Sequence, residues 1–338
     1  MDLMNDSKRG PYKVSSLTIT EDSDPLNGSV AWDPARSVWN TFMLLSALIL
    51  GPIYFSWSAL IVCLVLLELT MLAGHSIGFH RRLIHRTFKC SKTLERFMVW
   101  LGVLVGMHGP FWVIKSHDFR DWAQRQQHCH PFLRHAKGVW MDGWWNLHCT
   151  LKLDNPPEFD PGPGISDDPF YRFLQKTWML QQVPIALLLY YMGGLEWLIW
   201  GVPVRVAIGV SMHWLVGYYC HAKGPQNWLV DTGAVQAHDV PWAAIVSMGE
   251  SWHNNHHAFP ASARHGLYPG QIDIGFSFLK FLQKIGLVWD LQEADNLPPR
   301  TGITPLTEQA KETLRRQQKN NPSDVTNSNN QAGVKQAS

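Results

Sequence analysis

The sequence predicts an all-α membrane protein: four transmembrane helices in two hairpins, with a cytosolic helical cap holding a histidine-rich di-metal site. Three observations carry this expectation. Apolar stretches occur as adjacent pairs, each close to the roughly 20 residues needed to cross a hydrocarbon core. Basic residues collect at one end of those stretches, which marks the cytosolic side. Histidines, 16 among 338 residues, cluster at that same end.

The elements follow in order. Residues 1–36 are polar and carry both acids and bases. A cleavable signal peptide begins basic and soon turns apolar, so this segment reads as a cytosolic lead-in. Residues 38–55 are almost uncharged, and 57–79 follow with Glu68 as their only acid. Gly51-Pro52 breaks the run and leaves a short, uncharged far loop. Residues 94–114 are apolar but contain Glu95, Arg96 and His108, and Gly102, Gly106 and Gly109-Pro110 weaken them as a helix. They read as interfacial or re-entrant, with a third hairpin as the alternative. A second hairpin is expected over 178–195 and 197–219, turning near Met192-Gly193-Gly194.

Lys8, Arg9, Lys13 and Arg36 precede the first span, and Arg81, Arg82, Arg86 and Lys89 follow the second. Both termini, the 80–175 region and everything after His221 are therefore expected on the cytosolic side. Residues 37–292 read as one membrane domain. Residues 293–338 read as a disordered tail, rich in Asn, Gln, Lys and Ser from 297 onward.

Composition narrows the function. The net charge of +2, without a basic stripe, gives nucleic-acid binding no support. The 17 tryptophans suit membrane–water interfaces or a large aromatic core. Cys63, Cys90, Cys129, Cys149 and Cys220 form no C-x-x-C pair. Their odd number argues against a disulfide framework and fits a reducing compartment.

The histidines carry the chemistry. Trp252-His253-Asn254-Asn255-His256-His257 packs three imidazoles into five positions, and offsets of three and four share a helix face. Imidazole is a standard ligand for first-row transition metals. His80 and His85 follow the second span, and His221 ends the fourth. Five residues is about 140° on a regular helix, so His80 and His85 share a face only where that helix frays or ends. His75 reads as a polar contact between helices. His265 is a candidate for supporting a ligand or contacting a substrate headgroup.

Gly78-Phe79-His80-Arg81-Arg82-Leu83-Ile84-His85-Arg86 resembles the first histidine box of membrane fatty acid desaturases. Gly249-Glu250-Ser251-Trp252-His253-Asn254-Asn255-His256-His257-Ala258-Phe259-Pro260 resembles their third. Trp214-Leu215-Val216 followed by His221 is similar to the fourth-span context of the acyl-CoA branch. Gly286-Leu287-Val288-Trp289-Asp290 resembles the end of that domain. The similarity covers roughly residues 38–292. The family's central box, His-x-x-His-His shortly after a Trp-Ala, is atypical here: Trp122-Ala123 leads to Gln126, Cys129 and His130. A family Asn four residues before His221 is Gly217.

The resemblance implies His80, His85, His130, His221, His253, His256 and His257 as metal ligands and two iron ions (Fe2+) as cofactor. Cys129, His135, Gln126 and His128 are further candidate ligands in the central region. Glu250 and Asn254 are expected to support the ligands from behind. Asp118 and Asp121 are possible imidazole partners, although a solvated or ion-paired carboxylate is the simpler account. Removing hydrogens from unactivated carbons is beyond side-chain acids and bases, so the cofactor carries that step. The implied reaction is oxygen-dependent desaturation of a long-chain acyl substrate in an apolar tunnel, where Trp140, Trp144, Trp145 and Trp252 are candidate linings. The chain has no recognisable haem, flavin or nicotinamide motif, so a small cytochrome or a ferredoxin is the expected electron donor. Membrane lipid is the surrounding partner. A related membrane lipid hydroxylase is one alternative, and a non-catalytic histidine-rich metal-binding membrane protein is another.

Overall fold

The computed structural model describes residues 15–135 and 137–320. Lys8, Arg9, Lys13 and positions 321–338 of the expected tail lie outside the described residues. The chain is mostly helical. Three helical runs, Pro34–Ile53, Trp57–Ile84 and Gln182–Ala222, are long and apolar enough to cross a membrane by length and composition.

Helix α1 (Pro34–Ile53) starts where the Asp33 carboxylate accepts the Arg36 backbone N–H, with Pro34 in the first turn. Helix α2 (Trp57–Leu69) starts on the Ser56 hydroxyl, which accepts the Ala59 N–H. Their outward sides present Phe42, Leu45, Leu48 and Ile49, then Ile61, Leu64 and Val65, all exposed. A surface this apolar is stable against lipid tails or another apolar partner, not against water.

Beyond Leu69 the second helix continues as wide π turns from Thr70 to Ile84. In this geometry hydrogen bonds run between residues five apart, as in His85 N–H to the His80 carbonyl at 3.1 Å. The wide turns are pressed against α3 (Lys92–Leu104). A Cβ on Gly74 would lie 2.4 Å from the Leu101 and Gly102 backbone, and one on Gly78 would lie 2.7 Å from that of Met98. Gly102 in turn abuts the Phe79 ring. Glycine permits this backbone-to-backbone approach.

The 94–114 stretch, expected as one interfacial or re-entrant segment, is two helices. Helix α3 ends near Leu104, Gly106 takes φ +88°, and α4 (Pro110–Gln124) begins after Gly109. Helices α5 (Val139–His148) and α6 (Pro169–Thr177) complete the central region.

The second apolar pair has shifted boundaries. Helix α7 (Gln182–Ile199) breaks at Gly193 (φ −147°, ψ 20°) and Gly194 (φ 64°, ψ −155°). The left-handed φ at Gly194 suits glycine, and the chain doubles back so that Gly201 meets Leu189. A π turn at Trp200–Val204 accommodates Pro203 before α8 (Arg205–Ala222). Arg205, 1% exposed, donates to the carbonyls of Gly201 and Leu104 and to Gln182 Oε1 at 2.6–2.7 Å. Those acceptors satisfy a charge that apolar surroundings would otherwise make costly.

The remaining helices are α9 (His253–Ala258), α10 (Ile274–Lys284) and α11 (Glu308–Asn320). The described residues are mostly helical, as expected, and add eight short strands in four antiparallel pairs. Strands β1 (Leu17–Thr18), β2 (Gly28–Trp32), β3 (Lys89–Cys90), β4 (Cys149–Leu153), β5 (Glu158–Phe159), β6 (Trp228–Val230), β7 (Val288–Trp289) and β8 (Ile303–Pro305) pair as β1–β5, β2–β4, β3–β7 and β6–β8. Three of these pairs, β1–β5, β2–β4 and β6–β8, bear on the expected boundaries. Strands β1 and β2 fall within the segment expected as a polar lead-in, and β8 and α11 fall within the segment expected as a tail. Strand pairing uses backbone N–H and C=O groups, so polar side chains in these segments did not reveal it.

The packing of the π segment on α3 yields a test. Gly78→Leu is expected to destabilise the protein by at least ~2–3 kcal/mol through overpacking against backbone. It should lower the thermal unfolding midpoint of the purified membrane protein. Gly138→Ala, where nothing lies within 4 Å of the added carbon, should leave the midpoint unchanged.

Candidate metal centre

The π turns resolve the five-residue spacing of the first box. Residues five apart stack over one another there, so His80 and His85 turn the same way, with ring centroids 4.8 Å apart. His256 of α9 and His117 of α4 meet them. The centroids of His80–His256, His85–His256 and His85–His117 are 4.5, 4.7 and 4.9 Å apart. One ring nitrogen from each of these four lies within 4.8 Å of the others. Glu250 accepts from His80 Nδ1 and from the Ser76 hydroxyl, and Asp118 Oδ1 lies 2.9 Å from His117 Nδ1. Each carboxylate thus fixes Nδ1 and leaves Nε2 to face the cluster.

A second group forms beside the first. His221 ends α8, while His253 and His257 come from α9. His253 Nε2 lies 3.0 Å from His257 Nε2 and 3.3 Å from His221 Nε2. His221 Nδ1 donates to the Gly217 carbonyl at 2.8 Å. In the neutral ring that leaves a lone pair on Nε2, aimed at the group. Lone pairs converging at 3.0–3.3 Å repel unless a proton or a metal ion lies between them. The short α9 links both groups, with His256 facing one and His253 and His257 the other. His256 is 5.8 Å from His253 and 5.9 Å from His257 by ring centroid.

The residues fit a metal on independent grounds. Both ring nitrogens of His85, Nδ1 of His256 and Nε2 of His135 are buried with no hydrogen-bond partner among the described residues. Buried polar atoms are ordinarily satisfied, and metal ligation would satisfy those facing the groups. Burial pushes the His253 and His256 imidazoles well below their ordinary range. It pushes His257 to about 4, against the pull of Asp121. Neutral imidazoles are the ligating form.

Around these ligands lies a buried ionic frame. Burial works against ionising Glu250, but His80, His265 and Arg81 hold its carboxyl well below the usual range. Arg81, itself 0% exposed, lies 3.3 Å from Glu250 and 2.9 Å from Asp273. His265 Nδ1 is 3.5 Å from Glu250, and the His265 ring is 4.6 Å from that of His256.

The structure brings together His80, His85 and His256, and separately His221, His253 and His257. It does not bring His130 to either group. His130 lies beyond the end of α4, half-buried near Trp145, with Nδ1 accepting the Phe132 N–H at 3.1 Å. Gln126 donates to the Trp122 carbonyl, and His128 is exposed. Cys129 packs with Trp122, Phe132 and Leu133, and burial pushes its thiol up to about 12. Helix α4 ends at Gln124, so Gln126, Cys129 and His130 leave its axis before they can turn toward the histidines. The Asn254 side chain makes no hydrogen bond to an imidazole among the described residues. Its Oδ1 accepts the Asn227 and Trp228 N–H groups and its Nδ2 donates to the Trp228 and Ala237 carbonyls. It ties α9 to β6.

His135 lies close to the second group. It is 2% exposed with φ 52°, stacked on His221 at 5.3 Å, and its Nδ1 pairs with Asp142 at 3.0 Å. His117 was missed by sequence reasoning. The signal existed: positions 117, 120 and 121 have the His-x-x-His-His spacing, filled here by His117, Arg120 and Asp121. The Trp122-Ala123 landmark set the motif too far downstream. Arg120 donates to Asn146 Oδ1 at 2.7 Å, and Asp121 lies 3.8 Å from His257. Of the candidate tunnel tryptophans, Trp140 is 88% exposed and Trp252 donates to the Ile272 carbonyl. His75 pairs with His213 at 4.5 Å between helices.

No protein-family model matches the chain. Curated relatives do. A chloroplastic palmitoyl-monogalactosyldiacylglycerol delta-7 desaturase of Arabidopsis thaliana is 35% identical over 252 residues, 72% of this chain and 65% of the relative. An sn-1 stearoyl-lipid 9-desaturase of Anabaena variabilis is 36% identical over 251 residues, 72% of this chain and 88% of the relative. An acyl-CoA 5-desaturase of Anemone leveillei is 32% identical over 302 residues, covering 86% and 90%.

The buried imidazoles make stability depend on pH. Burial pushes His257 and His238 to about 4 and His265 to about 3, below the ordinary 6.5. Between those values the unfolded chain binds more protons than the folded one. Stability is therefore complete above pH 6.5 and is lost as pH falls through about 4, on the order of 3 kcal/mol per histidine. The thermal midpoint of chelator-treated protein should fall steadily from neutral pH to about pH 4.5.

Proposed function

The chain belongs to the membrane fatty acid desaturase family, a family of oxidoreductases, and from that premise we propose that it inserts a double bond into a long-chain fatty acyl substrate. The reaction would use dioxygen, two irons, and electrons from a separate donor such as a small cytochrome or ferredoxin. His80, His85, His117 and His256 would hold one iron. His221, His253 and His257, with His135 beside them, would hold the other. The single observation that carries this is the two adjacent histidine groups, in each of which one ring nitrogen from every member lies within 4.8 Å of the others; both nitrogens of His85 and Nδ1 of His256 are buried without a hydrogen-bond partner among the described residues.

Iron, when bound, supplies the oxidising power to remove hydrogens from adjacent unactivated carbons, which no side chain can do. The chain's own residues do the rest. Glu250 and Asp118 hold the Nδ1 atoms of His80 and His117, and the Gly217 carbonyl holds that of His221. These contacts keep Nε2 directed inward and reduce the reorganisation that ligand binding demands. Burial of His80, His85, His221 and His256 excludes water from the reacting region.

The apolar helices support a four-span, two-hairpin arrangement, with the break at Gly193-Gly194 as the second far turn. The basic residues Arg81, Arg82, Arg86 and Lys89 support a cytosolic position for the histidine groups and for both termini. The central region, α9, α10 and the strand pairs would form the cap. Relatives named for acyl-lipid and for acyl-CoA substrates share a fatty acyl group, and that group is the substrate class proposed here.

Lipid profiling after expression in a host that supplies electron donors tests the reading, and a new double bond is the expected result. An alcohol carrying oxygen-18 from labelled dioxygen, without an alkene, would instead establish hydroxylation. His117→Ala should abolish product and lower iron content, whereas His130→Ala and Cys129→Ser should retain both. Glu250→Ala should weaken iron binding by roughly 10–100-fold. Full activity in His117→Ala would refute the assignment of the first group.

A further inference from the structure

We propose that Arg300 is a positioning residue of the second histidine group: it acts through Asp121 to fix the His257 ring, and the segment carrying it clasps that group. This rests on the assignment of His221, His253 and His257 as metal ligands.

The geometry begins with Asp121, the last position of the His117-x-x-Arg120-Asp121 spacing. It does not offer an oxygen to the group. Arg300 Nη1 lies 2.9 Å from its Oδ1 and 2.8 Å from its Oδ2. Oδ1 also lies 3.8 Å from His257 Nδ1, while Nε2 of the same ring faces His253 at 3.0 Å. The carboxylate therefore sits behind the imidazole, on the nitrogen that points away from the group. A carboxylate in that position favours the tautomer with its proton on Nδ1 and its lone pair on Nε2. Arg300 supplies the counter-charge that lets a largely buried carboxylate stay there.

Arg300 is itself held from several directions. Its backbone N–H donates to the Ala258 carbonyl at 2.8 Å, one residue past His257. Arg125 donates to the Thr301 carbonyl at 2.7 Å. Strand β8 pairs with β6 through Ile303, Thr304 and Pro305, and β6 is tied to α9 by Asn254. These contacts close a loop around α9, running from Asn254 through β6, β8, Arg300 and Asp121 back to His257. The segment read from composition as a tail thus reaches the rear of a candidate ligand.

The test uses full-length, metal-depleted protein titrated with Co2+, followed by its visible ligand-field spectrum and by bound-metal analysis. Wild-type protein should take up two equivalents. Arg300→Ala should weaken the second equivalent by roughly 10–100-fold and leave the first unchanged. Asp121→Asn should do the same, and the double variant should be no weaker than the weaker single variant. Thr304→Ala, which removes the 2.7 Å contact between β8 and Asp231 just past β6, should bind both equivalents as wild type does. Wild-type affinity in Arg300→Ala would overturn the proposal. So would additive losses in the double variant, or an equal loss in Thr304→Ala, which would reduce Arg300 to strand integrity. Uptake of fewer than two equivalents by wild-type protein would instead sink the two-site assignment, and the clasp with it.

Discussion

The Arg81 guanidinium is the contact on which the rest of the site depends. It is buried among Glu250, Asp273 and the Met248 carbonyl, and it joins the π segment of the first box to the turn that introduces the third. Removing one member of such a buried ionic set costs about 3–5 kcal/mol, because the others are left uncompensated. The turn itself is shaped around the pair. Met248 and Gly249 take positive φ, and a Cβ on Gly249 would lie 2.4 Å from Asp273 Oδ1. The same frame seats Glu250 on His80, so the charge network and the imidazole orientation are one construction.

The π geometry is the second constraint. In an α-helix His80 and His85 would diverge, and one imidazole would point away from the group. Hydrogen bonds between residues five apart align them, and the glycine contacts with α3 press on those wide turns from the other side. His75, a further five residues back, continues the same row into the membrane-spanning part and meets His213. A helix anomaly of this kind often marks a functional site; here it brings the His80 and His85 rings together.

Much of this was legible in the sequence. The dense 252–257 cluster, the apolar pairs and the basic residues at their ends placed His80, His85, His221, His253, His256 and His257 together, because hydrophobic length and local spacing are properties of contiguous residues. The role of Glu250 was also readable, since it adjoins the third box. The central box was not. His117 keeps the spacing of the central motif, but Arg120 and Asp121 fill its other two positions, so the only local signal is a spacing with one histidine left in it. Cys129 and His130 were more conspicuous in sequence, yet they lie past the end of α4. The strand within the expected tail was not legible for a related reason: composition reports side-chain polarity, while β8 is held by backbone hydrogen bonds to a strand some 70 residues away.

The sequence by itself determined a histidine-rich, membrane-type chain with two complete outer boxes, because those signals are short-range. Tertiary structure alone decided which histidines share a group, which carboxylate stands behind each ring, and that Arg300 reaches Asp121. Several of those contacts are long-range: His221 meets His253 across 32 positions, and Arg300 meets Asp121 across 179. Their formation depends on how the π segment, α4 and α9 pack around Arg81, which no local pattern of residue types encodes.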